Sequence, residues 1–181
     1  MNTERQIYKL DTTFVSIIGA KKVVTKDTGI VIDDLRRISN KVSVQAIDAS
    51  IIYGIEHLIE ILKITLESKR RKIMVAKNPE TDLLLRLSYT NQISVALKYG
   101  GMKNNANCCF VIFAKDKNKL LKVNCYINKL FKIDDSVLRP NIRKKEIILR
   151  KIGLTSSLLL FENDDFAFIR FISERSSLIA R

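Results

Sequence analysis

The sequence has few of the residues from which catalytic and metal sites are built. Its 181 residues include a single histidine, His57, and no HExxH, CxxC or GxSxG pattern accompanies it. The phosphate-binding patterns GxxxxGKS, GxxxxGKT and GxGxxG are absent as well. We interpret His57 as a structural histidine, because a lone titratable group without a partner pattern seldom marks catalysis. The sequence therefore predicts a protein that is not an enzyme and that uses no metal, cofactor or small-molecule substrate.

Cysteines and long apolar segments are also scarce. Cys108 and Cys109 are adjacent, and Cys125 lies on a later predicted helix, so the three cysteines cannot form a disulfide framework and are expected to be reduced. The longest apolar segment, residues 49–66, is interrupted by charged side chains, and the first ten residues lack the apolar core of a signal peptide. We expect a cytoplasmic protein without membrane contact.

Acidic residues are outnumbered, with 19 aspartates and glutamates against 32 lysines and arginines, and the formal charge is +13. Taken alone, such a charge predicts attraction to a polyanion, which could be RNA, DNA or a membrane surface, although a basic surface can also serve only solubility. Either of two clusters could contact phosphates, or could be a solvated face or compensate a helix dipole. The first cluster is Lys69, Arg70, Arg71 and Lys72 with Lys77, and the second is Arg139, Arg143, Lys144, Arg150 and Lys151.

Hydrophobic periodicity predicts an α/β fold, with a central mixed β-sheet of about four strands flanked by about seven helices. No linker composition or internal repeat is visible, so we expect a single domain over residues 1–181. The predicted strands are 13–20, 41–47, 72–77 and 108–114, the last at the sheet centre because it is almost continuously apolar. The predicted helices begin near residues 48, 79, 90, 117, 141 and 164, and residues 29–40 start as a strand and finish as a helix.

Two of these helices have unusual surfaces. In the helix after Thr90, Ile93, Ala96 and Leu97 form the predicted core face, with Asn91, Ser94 and Lys98 opposite. The apolar residues of the last helix cover about 200° of its circumference, which predicts burial on two sides or contact with a partner.

Two segments in the middle of the chain carry a recognisable series of residues. They are Asp48, Ala49, Gly54, His57 and Leu58, followed by Ser88, Thr90, Asn91, Gln92, Ile93, Ala96 and Gly100. In their order and spacing these residues resemble the small kinase-binding subunit of the KEOPS complex, in the PRPK-binding-protein family of archaea and eukaryotes. The chain resembles this family from about residue 42 onward, and more loosely over its final helix, Ser173 to Ile179.

The resemblance implies a non-catalytic protein that binds and stimulates the atypical kinase/ATPase subunit of KEOPS. That complex forms threonylcarbamoyladenosine in tRNA, and archaeal members of the family recruit tRNA through its single-stranded 3′ CCA tail. On this basis we expect Leu85, Phe168 and Ile172 to contact the kinase, although Ser176 and Ser177 depart from the more apolar family pattern. The expected RNA-binding residues are Lys69, Arg70, Arg71, Lys72, Asn91, Gln92 and Lys98. The alternative is a protein-only scaffold or kinase regulator without RNA contact.

Overall fold

The computed structural model describes residues 7–25, 27–154, 161 and 164–180. These residues form four β-strands and seven α-helices, which confirms the predicted α/β class. The strands are β1 (Ile7–Leu10), β2 (Thr13–Val23), β3 (Val42–Asp48) and β4 (Ala106–Ala114). The helices are α1 (Thr28–Arg37), α2 (Gly54–Arg70), α3 (Pro79–Leu87), α4 (Ile93–Gly100), α5 (Lys117–Leu130), α6 (Ile142–Lys151) and α7 (Asp165–Ser177).

The chain divides into two compact units. One comprises Met1–Ala49 and Met102–Val137 and holds all four described strands with α1 and α5, and we call it the sheet unit. The other comprises Ser50–Gly101 and Leu138–Arg181 and holds α2, α3, α4, α6 and α7, and we call it the helical unit. That the whole chain acts as one domain stays a prediction.

In the sheet unit the strands lie in the order β1-β2-β4-β3. β4 is interior, as its apolar sequence predicts, and it pairs through Val111 with Ile17 of β2 and Gln45 of β3. Each neighbouring pair of strands runs antiparallel. A mixed sheet was expected, whereas the four described strands are antiparallel throughout. β1 and β2 form a hairpin. Two strands joined by a short turn run antiparallel, because a parallel pair needs a long crossover connection.

Helices α1 and α5 cover one face of this sheet. Leu35 of α1 and Leu120, Val123 and Ile127 of α5 are buried in the same cluster as Phe110 of β4. α1 is helical from its start, where a strand was expected. The Asp27 carboxylate caps the helix by accepting hydrogen bonds from the backbone N–H groups of residues 29 and 30.

In the helical unit, α2 packs against α3 and α7, and α4 packs against α3. The strand predicted for residues 72–77 is wrong, since this segment has no regular structure. The backbone N–H groups of Val75 and Ala76 donate to the Asp82 carboxylate, at 2.7 and 3.4 Å, instead of to a neighbouring strand. The central helix begins at Gly54 and not directly after Asp48, which is the last residue of β3 and pairs with Lys103 at 2.7 Å.

Candidate functional site

The three residues expected to contact a partner lie in the core of the helical unit. Leu85 is 1% exposed, and Phe168 and Ile172 are fully buried. The Phe168 ring packs edge-on against Tyr53, with 4.7 Å between the ring centroids. These side chains stabilise the fold and offer no contact surface, so the prediction that they contact a partner does not fit the structure.

A groove of about 820 Å³ runs between α2 and α7, on the outer side of the helix that carries Phe168 and Ile172. Its apolar lining includes Ile64 and Ile169, and Phe166 beside it is 71% exposed. Of the apolar residues behind the predicted excess surface of the last helix, Ile169 and Phe171 pack against the core cluster, and Phe166 is exposed. The full lining is Glu56, Glu60, Ile64, Pro140, Asp165, Phe166, Ile169, Arg170, Ser173, Glu174 and Ser177.

The groove is acidic although the chain as a whole is basic. Four carboxylates line it against a single arginine, Arg170. Asp165 accepts hydrogen bonds from the Tyr53 hydroxyl at 2.5 Å and from the Lys145 ammonium at 3.1 Å. The Tyr53 hydrogen bond is the main reason that the pKa of Asp165 lies below its usual value. Lys145 compensates Asp165, and Lys63 pairs with Glu60 at 2.6 Å. Glu56 and Glu174 against Arg170 leave the groove with a net negative charge, which favours a partner with apolar and basic side chains.

The predicted basic run, Lys69 to Lys72, is exposed at the end of α2. Arg70 and Arg71 both donate to the Glu67 carboxylate, at 2.6 and 2.5 Å. Their hydrogen bonds lower the pKa of Glu67 to about 2, so it stays ionised. One carboxylate compensates only one of the four cations, and the run keeps a net positive charge.

A buried ion pair anchors the chain that follows this run. The Asp82 and Arg86 side chains are at most 1% exposed and are joined by a 2.6 Å hydrogen bond. Arg86 also donates to the Ser68 hydroxyl at 3.0 Å and to the carbonyl of Ser176 at 3.3 Å. The Ser176 hydroxyl donates back to the carbonyl of Arg86. Ser176 thus joins α7 to α3.

Helix α4 presents large apolar residues to solvent. Ile93 and Leu97, expected in the core, are each 51% exposed, whereas Ala96 and Gly100 are buried. A Cβ atom on Gly100 would lie 2.5 Å from the Ser88 hydroxyl oxygen and 2.6 Å from an Ile51 methyl carbon. The helix therefore packs through its smallest residues, because only they allow so close an approach, and the larger pair faces outward.

Polar side chains surround this exposed apolar pair. Asn91, Gln92 and Lys98, all predicted to bind RNA, are exposed at or beside α4. Together with Ile93 and Leu97 they form what we call the α4 surface. Tyr89, by contrast, packs in the core of the unit, where burial raises the pKa of its hydroxyl.

The second predicted basic cluster is divided between the interior and the surface. Lys144 and Lys145 of α6 are buried, and the Lys145 ammonium donates to the Phe161 carbonyl at 2.6 Å. Arg143 and Arg150 are exposed. Lys151 lies over the Tyr99 ring of α4, with its ammonium 4.5 Å from the ring centroid. Only part of the cluster can therefore meet an anion.

His57 lies in the interior of the helical unit. It is fully buried, and its Nδ1 accepts a hydrogen bond from the backbone N–H of Tyr53 at 3.2 Å, at the start of α2. Burial, and secondarily the positive charge of Lys144, lowers the pKa of His57 to about 3. The imidazole is therefore neutral in the folded protein. The described part of the chain holds no cluster of three or more His, Cys, Asp or Glu residues suited to a metal ion.

Residues 5–152 match the family model of kinase binding protein CGI-121. The chain belongs to this family. No curated protein gives a significant match. The CGI-121 family is a kinase-binding family, in agreement with the predicted resemblance and with a kinase as partner. None of the helices described is long and apolar enough to span a membrane.

For this CGI-121 family member, sequence reasoning selected exposed residues for RNA and buried residues for the kinase. It missed the exposed pair Ile93 and Leu97, and it missed the acidic lining of the α2–α7 groove, in particular Glu56 and Glu174. One signal was available for the groove: Glu56 and Glu60 recur on α2 at a spacing of four, which places both on one side of the helix.

Proposed function

We propose that the chain is a non-catalytic accessory subunit of the KEOPS complex, which makes threonylcarbamoyladenosine in tRNA. In this role it binds and activates the kinase/ATPase subunit and recruits tRNA through the 3′ CCA tail. The observation that carries the proposal is the CGI-121 family match over residues 5–152. Two separate surfaces of the helical unit support the two parts of this proposal.

The surface that suits the kinase subunit is the α2–α7 groove. It combines exposed Phe166 and the Ile169 side of α7 with Glu56 and Glu174, for which no ion pair is described. An aromatic anchor beside uncompensated carboxylates favours a partner that offers an apolar pocket bordered by lysine or arginine. This surface replaces Leu85, Phe168 and Ile172, which are buried.

The surface that suits the CCA tail is the α4 surface. Single-stranded RNA needs apolar or aromatic groups beneath its unstacked bases and polar groups at their edges. Ile93 and Leu97 supply the first, and Asn91 and Gln92 supply the second. Lys98 and the basic run at residues 69–72 supply positive charge for phosphates.

The RNA-binding role is tested by measuring binding of the protein to intact tRNA and to the same tRNA without CCA, at moderate salt. We expect a clear loss of affinity on trimming, and a comparable loss for intact tRNA when Leu97→Ser or Asn91→Ala is introduced. Leu130→Ser, which removes a leucine of the same 51% exposure from α5 of the sheet unit, is the matched control and should bind normally. Equal binding of both tRNAs would reduce the contact to nonspecific attraction, and no binding would leave a protein-only kinase regulator.

The kinase-binding role is tested by co-purification with the KEOPS kinase/ATPase subunit and by the ATPase rate of that subunit. Phe166→Ala and Glu174→Lys should each weaken complex formation and reduce the stimulated rate, because they remove the apolar anchor and reverse one charge. Tyr126→Ala, which removes a partly exposed aromatic of the sheet unit, is the control. Wild-type affinity in both groove variants would rule out this surface.

A further inference from the structure

We infer that the RNA-binding surface continues from α4 onto the last turn of α6, where Arg150 and Lys151 bind phosphates of the strand whose bases lie on Ile93 and Leu97. The inference rests on the proposed function, since it extends the tail-binding surface. It adds two residues that the resemblance did not assign to RNA. It also defines the path of the strand over the protein surface, from α4 to the last turn of α6.

The first support is the direct connection of α6 to α4 through Tyr99. The Tyr99 hydroxyl donates to the backbone carbonyl of Ile147, at 3.3 Å. The Lys151 ammonium sits over the face of the same ring, 4.5 Å from its centroid. A cation in this position is held in place by the ring. The last turn of α6 is therefore a fixed neighbour of α4 in the same compact unit.

The second support is the order of residues around α4. Successive residues of a helix are rotated by about 100°, so Leu97, Lys98 and Tyr99 follow one another around the helix surface. Leu97 belongs to the exposed apolar pair, Lys98 is exposed, and Tyr99 carries Lys151. A strand that crosses α4 thus meets an apolar group, then a cation, then a second cation held by α6. Bases require the first and phosphates require the others.

The third support is that no ion pair is described for the cations of this surface, in contrast to several other arginines. Within the described residues, Arg36, Arg37, Arg70 and Arg71 each pair with an aspartate or glutamate of their own helix. No ion pair is described for Lys98, Arg150 or Lys151, and Arg150 is exposed. Among the residues that the structure describes, these cations have no acidic partner that an incoming phosphate would have to displace. Charge complementarity on this side of α4 therefore favours a polyanion, and the exposed apolar pair favours one with unstacked bases.

The test is binding of intact tRNA and CCA-trimmed tRNA by the double variant Arg150→Gln and Lys151→Gln, over a series of salt concentrations. We expect weaker binding of intact tRNA, and a log-log salt slope that is less steep by about 1.4, or about 0.7 for each single-stranded phosphate contact removed. The control is Lys129→Gln with Lys132→Gln in the sheet unit, which removes two exposed cations at and just beyond the end of α5. It should leave both affinity and slope close to those of the wild type.

A purely structural role for Lys151 is separated by Lys151→Met, which keeps an apolar chain against Tyr99 and removes the charge. This variant should be as stable to urea as the wild type and should show a log-log salt slope that is less steep by about 0.7. An unchanged slope in the double variant, with the trimmed tRNA still binding poorly, would overturn this inference and leave tail recognition standing. An equal loss in the α5 control would overturn it in favour of nonspecific attraction. If the wild type binds no tRNA, the proposed RNA role fails and this inference fails with it.

Discussion

The buried histidine makes the stability of the protein depend on pH in a predictable direction. His57 is fully buried, with Nδ1 bonded to the N–H of Tyr53, and its pKa in the folded protein is about 3. In the unfolded chain the pKa returns to about 6.5. Below pH 6.5 the unfolded chain therefore binds a proton that the folded protein rejects, and acidification favours unfolding.

The magnitude follows from the two pKa values. Each pH unit between them costs about 1.4 kcal/mol, so a change from pH 7 to pH 4.5 should remove about 2.5 kcal/mol of stability through His57 alone. The contribution is fully present above pH 6.5 and is lost progressively as the pH falls toward 3. The total free energy of unfolding of a native protein is only about 5–15 kcal/mol, so this loss is large.

The assay is urea unfolding of the wild type and of His57→Asn, at steps between pH 7 and pH 4.5. Asparagine retains an acceptor for the Tyr53 N–H but does not titrate. Carboxylates such as Asp165 also contribute to the pH dependence of stability. Because both proteins contain the same carboxylates, this contribution cancels in the difference between their free energies of unfolding. The free energy of unfolding of the wild type minus that of His57→Asn should fall by about 2.5 kcal/mol between pH 7 and pH 4.5. A difference that does not change with pH would refute the assignment of a neutral, proton-rejecting histidine.

Two further substitutions test packing contacts within the helical unit, each by urea unfolding. Asp82→Asn should destabilise the protein by roughly 3–5 kcal/mol, because it leaves the Arg86 charge buried without its partner; a loss under 1 kcal/mol would contradict a dry ion pair. Gly100→Ala should cost about 1–3 kcal/mol, because the new methyl group overlaps Ser88 and Ile51. Ser94→Ala on the exposed side of the same helix should change stability little, and equal effects of the two substitutions would refute the close approach of α4.

The strands predicted from alternating β-branched and apolar residues, β2, β3 and β4, are present within a few residues of their expected limits. β1 was missed, because its four residues, Ile7–Leu10, form a strand only through pairing with β2. The false strand at residues 72–77 has the opposite cause. Its sequence pattern suits a strand. However, the Asp82 carboxylate on the next helix accepts hydrogen bonds from the backbone N–H groups of Val75 and Ala76, which in a sheet would donate to a neighbouring strand.

The error at α4 shows why hydrophobicity alone misplaces a helix face. Size and apolarity select Ile93 and Leu97 as core residues, whereas the helix is buried through Ala96 and Gly100. The contact distance between neighbouring helices decides this, and that distance depends on residues far away in sequence, here Ile51 and Ser88. The same applies to Leu85, Phe168 and Ile172, whose apolar character fits a core and a partner surface equally well.

The sequence by itself determined the α/β class, the helix starts marked by local capping residues such as Asp116 and Asn141, and the strong positive charge. These properties depend on composition and on contacts within a few residues along the chain. Only the tertiary structure decided which cations are buried, paired or free, and which apolar side chains face outward. Burial and pairing depend on contacts between distant segments, such as Lys145 with Phe161 and Lys151 with Tyr99, and local sequence patterns do not encode those contacts.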